Sequence, residues 1–199
     1  MTKTLLIGSN NRKKAAELAT LLDGLPWEVM SLGDFPPVAE PVEDANTFEE
    51  NAVKKARYYS EHYAVACVAD DSGLVVDALD GAPGVYSARY AGPECNDEAN
   101  IEKLLDALAA TPWHERTARF VCCAAYIEPG MDEPHVETGT VAGHICVEPF
   151  GDNGFGYDPV FVPENHDCTF AEMPPEEKHA ISHRGHAFEK LRAYLEARP

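Results

Sequence analysis

Asp70 and Asp71 are the residues in this 199-residue chain whose types and spacing point most directly to chemistry. They follow an apolar run rich in β-formers, Ala64 to Ala69, and they precede a small-residue turn at Ser72-Gly73. If the run is a strand that stops at the pair, alternation sends the two side chains in opposite directions. One carboxylate can then face a cavity while the other caps a turn or orients a neighbour. Such a pair at the end of a buried strand is costly unless a cation, a proton or several hydrogen-bond donors compensate it. An Asx turn with a second, surface Asp is the plain alternative.

Five more segments bear on that choice. Ser9-Asn10-Asn11-Arg12-Lys13 stands where a first strand should hand over to a helix. Free backbone N–H groups there, with Asn and Lys side chains nearby, suit phosphate oxygens. The glycines and GK[ST] ending of a P-loop are missing, and an N-cap followed by a solvated basic turn explains the segment equally simply. Glu43 lies in an acidic loop, and Glu50, Asn51 and Lys55 lie on the helix after it. The spacings Glu50 to Lys54 and Asn51 to Lys55 read either as surface i,i+4 support or as a face turned to the carboxylates. In the second case Glu43 shares a divalent cation with Asp71, as Mg2+ completed by waters and substrate phosphates allows. In Gly154-Phe155-Gly156-Tyr157-Asp158-Pro159 the glycines permit close backbone approach. Phe155 and Tyr157 offer a stacking surface for a planar ring, and Asp158 an acceptor for ring N–H groups; a bulged loop with core aromatics is the alternative. Lys178 and Ile181-Ser182-His183-Arg184-Gly185 form the last basic patch. Gly81-Ala82-Pro83-Gly84 reads as a turn leading through Val85 to Tyr90 with alternating side chains, and Arg89 is long enough to reach a phosphate or an acidic partner.

Periodicity supplies the elements that must position these groups. Strands are expected over Thr4–Gly8, Trp27–Leu32, Leu74–Leu79, Arg119–Ile127, Val136–Val147 and Pro159–Val162. Helices are expected from Arg12 to Leu22, from Thr47 to about His62 with Glu50 completing a capping box, over Asn96–Ala110, from Pro174 through Lys178, and from His183 to Ala197. Strands alternating with helices at both ends argue for an α/β fold, and the long central hairpin for a mixed sheet.

Composition narrows the class. The chain is 45% hydrophobic and 25% charged, ordinary for a globular protein, with a formal net charge of −18 and no basic face. General binding to nucleic acid or an anionic membrane is disfavoured. The six cysteines form no CxxC pair and no zinc spacing, and several sit in apolar runs. The apolar part of the N-terminus is too short for a signal peptide, and no 18-residue apolar run exists. A reduced, cytoplasmic protein is expected.

Together these motifs resemble the inosine triphosphate pyrophosphatase family, and its bacterial branch in particular. The segments that carry the resemblance are Ser9 to Lys13, Thr47-Phe48-Glu49-Glu50-Asn51-Ala52 with Lys55-Ala56, Ala69 to Leu74, Gly81 to Tyr90, Phe155 to Pro159, and Lys178 with Ser182 to Gly185. They run from end to end of the chain in family order. The resemblance implies an elongated α/β fold with a mixed central sheet flanked by helices, two lobes with an active-site cleft between them, residues 1–199 as a single domain, and a homodimer. It implies Mg2+-dependent hydrolysis of ITP, dITP and XTP to the monophosphate and pyrophosphate. Carried over by position, Asp71 resembles the proton acceptor and a metal ligand, Glu43 a second metal carboxylate, and Lys55 a phosphate contact. Ser9, Asn10, Asn11, Arg12 and Lys13 resemble the phosphate loop, with Ser72 at the substrate. Phe155, Gly156, Tyr157 and Asp158 resemble the base-binding loop, and Lys178, His183 and Arg184 the base and nucleotide contacts. Arg12 departs from the Gly that bacterial members often carry. Two other readings are a related septum-formation-inhibitor nucleotide pyrophosphatase and a non-catalytic nucleotide-binding protein.

Overall fold

Leu5, Leu6 and Ile7 are buried in succession, the pattern of a parallel strand covered on both faces. They belong to β1 (Lys3–Ile7), which pairs in parallel with β2 (Trp27–Ser31) and with β3 (Ala66–Val76) in a computed structural model that describes residues 3–198. Helix α1 (Arg12–Leu21) connects β1 to β2, and Asn11 caps it by accepting the Lys14 N–H. Helix α2 (Phe48–Tyr63) connects β2 to β3. The Glu50 N–H donates to Thr47 Oγ1 at 3.1 Å, so Thr47 caps the helix as expected, while the Glu50 carboxylate accepts from the Thr47 hydroxyl in place of the backbone N–H that a full capping box would use. The sheet order β2-β1-β3 continues through β4 (Thr117–Ile127), β5 (His135–Ile145) and β6 (Phe161–Pro163). β6 runs antiparallel to β5, so the sheet is mixed, as expected. The remaining helices are α3 (Asp97–Ala107), α4 (Pro175–Ile181) and α5 (His183–Glu196).

Four expectations need correction. β3 does not stop at the two carboxylates but runs unbroken from Ala66 to Val76, through Asp70, Asp71 and the supposed turn at Ser72-Gly73. The compensating side chains described below make this possible. Ala64, placed in the strand by its apolar character, instead ends α2 in the left-handed region at φ 53°. Gly84–Arg89 is a 3-10 segment rather than an alternating strand, and its Arg89 guanidinium lies 5.1 Å from the centre of the Tyr86 ring. Pro159 likewise falls in a 3-10 turn, Asp158–Val160, ahead of the short β6.

The chain divides into two compact units. The first takes the chain up to Asp71, Cys122–Gly139 and the chain from Arg184 onward; the second takes Ser72–Val121 and Thr140–His183. In the first, Leu18 of α1, Leu22 at its C-terminal cap, and Phe188, Leu191 and Leu195 of α5 pack with Leu5, Ile7, Val68 and Tyr126 of the sheet. Leu6 and Cys67 pack instead with Tyr59 of α2. In the second, Leu104 and Leu108 pack with Leu74, Val76, Phe120, Phe161 and Phe170.

Candidate active site

The faces of β3 decide where each carboxylate points. Val68 belongs to the core under α1 and α5, whereas Cys67 belongs to the core under α2. Period two carries these faces forward to Asp70 and Asp71 respectively. Asp70 Oδ2 lies 3.2 Å from Lys14 Nζ of α1 and 3.5 Å from Arg184 Nε of α5, and the Cys122 thiol approaches to 3.8 Å. Arg184 Nη1 also lies 3.3 Å from Glu17 Oε2. Asp71 meets α2: Asn51 Nδ2 donates to Oδ2 at 3.1 Å and Lys55 Nζ to Oδ1 at 3.3 Å. The same ammonium donates to Glu43 Oε2 at 2.9 Å. The i,i+4 pair Asn51 and Lys55 therefore faces the carboxylates, while Lys54 pairs with Asp44 at the surface.

Burial and charge pull these groups in opposite directions. Burial raises the Asp71 pKa above the ordinary carboxylate value, with Glu43 adding to it, although Lys55, Lys14 and Asn51 act the other way. Burial works against the Lys55 ammonium, but Asp71, Glu43 and Asp70 outweigh it and hold its pKa above the ordinary value. For Lys14 burial wins over Asp70, assisted by Lys55 and Arg184, and the pKa falls.

The loop after β1 meets this cluster through Lys14, one residue beyond the expected segment. Lys13 and Arg12 are exposed on the opening turn of α1, Asn11 is spent on the cap, and Ser9 is half-buried. Asn10 Nδ2 donates to Glu40 Oε1 at 2.8 Å and to the Tyr59 hydroxyl at 3.4 Å. A cavity of about 800 Å³ opens beside this loop against β2; Ser9, Asn10, Arg12, Phe35, Tyr59 and Tyr63 are among its walls, and Asp71 is not. Lys14, Glu17, Asn51 and Asp70 are thus members of the cluster that the expected site residues left out. Asn51 and Asp70 were visible as polar residues in patterned segments; Lys14 and Glu17 carried no such signal.

The second unit gathers the other expected residues. Asp158 Oδ2 accepts from Lys178 Nζ at 2.7 Å and from the Phe155 N–H at 2.8 Å. Lys178 Nζ also lies 5.1 Å from the centre of the Phe155 ring, within cation–π range. Gly154, at φ +76°, is required here: a Cβ would stand 2.1 Å from Asp158 Oδ2. Gly156 is half-buried, and its N–H donates to Asp97 Oδ2 at 2.9 Å. Tyr157 does not offer a stacking face. It is 4% exposed within the core, and its hydroxyl donates to the Ser87 carbonyl. The His183 ring stacks on Phe120 at 4.7 Å and 10°. Ser72, next to Asp71 in sequence, is half-buried in β3.

Among the described residues no three His, Cys, Asp or Glu side chains converge as a metal-holding group. Glu43 and Asp71 flank one ammonium instead. No helix among the described residues is long and apolar enough to cross a membrane.

In β2-β1-β3 the chain first winds to one side of β1 and then to the other, and the cluster lies where the strand order reverses, just past the carboxyl end of β1 and beside the middle of β3. Open α/β sheets bind ligands at such points. Fold and cluster therefore define an α/β protein with a buried carboxylate–lysine site. A profile of the Ham1 family matches residues 5–194. The dITP/XTP pyrophosphatase of Geobacter sulfurreducens is 49% identical over 191 residues, 96% of each chain. That of Oceanobacillus iheyensis is 45% identical over 97% of this chain and 98% of its own. The Ham1 protein structure from Staphylococcus aureus superposes with a TM-score of 0.88 at 42% identity, covering 99% of this chain and all of the other. That of the HAM1 protein from Coxiella burnetii gives 0.90 at 41% identity, covering 98% and 100%. The chain belongs to the Ham1 family.

Proposed function

We propose that this chain is a nucleoside triphosphate diphosphatase for ITP, dITP and XTP. Water adds across the bond between the α- and β-phosphates, leaving the monophosphate and pyrophosphate. The observation that carries the reading is Asp71, 8% exposed, held between Asn51 and Lys55 with Glu43 on the same ammonium. Likeness to dITP/XTP pyrophosphatases over nearly the whole chain supports the substrate class.

In this reading Asp71 accepts the proton of the attacking water, and the burial that raises its pKa makes it the stronger base. Lys55 stays charged and screens phosphate oxygens, with Lys14 beside Asp70 as a second cation. Ser9, Asn10, Asn11, Arg12 and Lys13 line the phosphate approach. Phe155, Gly156, Asp158, Lys178, His183 and Arg184 are assigned to the base and nucleotide, and Ser72 to the substrate beside Asp71. Tyr157 supports that loop from the core.

Glu43 and Asp71 are the residues that would hold Mg2+. Two carboxylates suffice for an ion that keeps several waters and is completed by phosphates. Glu17, Glu43, Asp70 and Asp71 concentrate carboxylate charge in this cluster, where Lys14, Lys55 and Arg184 pair with them. A triphosphate entering there needs further positive charge. Bound Mg2+ supplies it by stabilising charge on the phosphate. The reading further takes the protein as a cytoplasmic homodimer acting on small molecules rather than on nucleic acid or membranes. None of the six cysteines forms a disulfide, which suits a reducing compartment.

Discrimination against ATP and GTP is assigned to the 6-oxo edge and N1 proton of the deaminated purine. Each missed buried hydrogen bond contributes about 1–3 kcal/mol, roughly 5- to 150-fold. The test is pyrophosphate release from ITP, XTP, ATP, GTP and UTP with Mg2+, beside Asp71→Asn. Fast release from ITP and XTP, lost in the variant, is expected. Release chiefly from UTP, or near-normal turnover by folded Asp71→Asn, would overturn the reading.

A further inference from the structure

Asn51 is fully buried on the first turn of α2, and both ends of its amide are used. Its Nδ2 donates to Asp71 Oδ2 at 3.1 Å, and its Oδ1 accepts the Ala45 N–H at 3.1 Å. The partners dictate this orientation. A carboxylate only accepts and a backbone N–H only donates, so turning the amide over would oppose like groups at both ends. Ala45 lies two residues beyond Glu43. Glu43 in turn accepts from Lys55 Nζ, which reaches back to Asp71 Oδ1. A closed circuit results: from Asp71 through Asn51 to the backbone at Ala45, along the chain to Glu43, and through Lys55 back to Asp71.

We infer that Asn51 is a positioning residue for the reaction assigned above, on which this inference rests. It orients the Asp71 carboxylate and, with the same side chain, sets how far the Glu43 segment stands from it. Lys55 alone cannot do this. One ammonium on a flexible stem draws two carboxylates together but leaves their planes free to turn, whereas the planar amide fixes one oxygen of Asp71 and one peptide of the loop together. The remainder of the 36–46 segment is tied to the same helix more loosely, by the Tyr63 hydroxyl on the Pro36 carbonyl, the Tyr58 hydroxyl on the Ala39 carbonyl and Lys54 on Asp44. Unlike these three ties, Asn51 also touches Asp71, and unlike Lys55 it holds the segment by its backbone.

Two variants separate its two contacts. Asn51→Ala removes both. Asn51→Asp keeps an acceptor for the Ala45 N–H but sets an oxygen against Asp71 Oδ2. With ITP, Asn51→Ala should lower kcat about 10- to 100-fold with KM within about 3-fold, the signature of a misplaced reacting group. In an Asp71→Asn background it should lower kcat no further, because Asn51 acts through Asp71. Amide exchange at Ala45, read without substrate, should quicken in Asn51→Ala and stay slow in Asn51→Asp, while both lose kcat. An unchanged kcat in Asn51→Asp, an equal further loss on top of Asp71→Asn, or Ala45 exchange indifferent to Asn51→Ala would overturn the inference. If Asn51→Ala does not fold, Asn51→Asp still decides by kcat. Wild-type protein that releases no pyrophosphate would defeat the functional reading instead, and the exchange measurement would still stand on its own.

Discussion

Glu17, Asp70 and Arg184 are each at most 7% exposed, so their ion pairs have little water to fall back on. Removing one partner of a buried pair leaves the other charge uncompensated, at about 3–5 kcal/mol. Arg184→Ala is therefore expected to lower the melting temperature at neutral pH by roughly 6–20 °C in a chain of this size. A shift of only a degree or two would mean that water reaches these carboxylates in solution. Residue-scale reading of the sequence was uneven for a physical reason. Opposite partners for Asp70 and Asp71 followed from strand alternation alone. The inward lysine did not, because Lys13 and Lys14 are about 100° apart on a helix. Which of them meets β3 depends on the helical phase set by the Asn11 cap.

At the scale of elements, α2 carries much of the site on one face, with Asn51 and Lys55 one turn apart. Its start is held by Thr47, and Thr47→Ala should destabilise the protein by about 0.5–2 kcal/mol. Denaturant titration measures the loss, and amide exchange should localise the loosening to the turn that holds Asn51. Protection unchanged there would show that packing against β3, not the cap, fixes the helix start. The capping pattern was legible because it depends on residues three apart. The unbroken course of β3 was not. Two acids and a Ser-Gly pair look like a terminus until Lys14, Asn51, Lys55 and Arg184 are seen to compensate them.

For the whole molecule, thiol reactivity gives a map of what is closed. Cys95 is exposed and Cys168 half-buried, whereas Cys67, Cys122, Cys123 and Cys146 are buried. Burial pushes the Cys67 thiol far above its ordinary pKa, so almost none of it is thiolate at pH 8. Alkylation of the native protein at that pH should modify Cys95 first and Cys168 more slowly, with all six reacting only on unfolding. Rapid loss of Cys67 would show that the layer between β3 and α2 opens readily.

Local pattern was sufficient for the α/β class, the order of helices and strands, most of their limits within one to three residues, and the set of polar segments worth watching. Short-range sterics and burial periodicity act over a few residues, so they leave a mark that a single chain displays. Packing decided the rest. Arg184 meets Glu17 from 167 residues away, and Tyr157, aromatic in a glycine-rich loop, turns into the core to reach Ser87, 70 residues from it. No local pattern encodes such meetings, because their energy comes from burying two distant surfaces together and from pairing the charges trapped there.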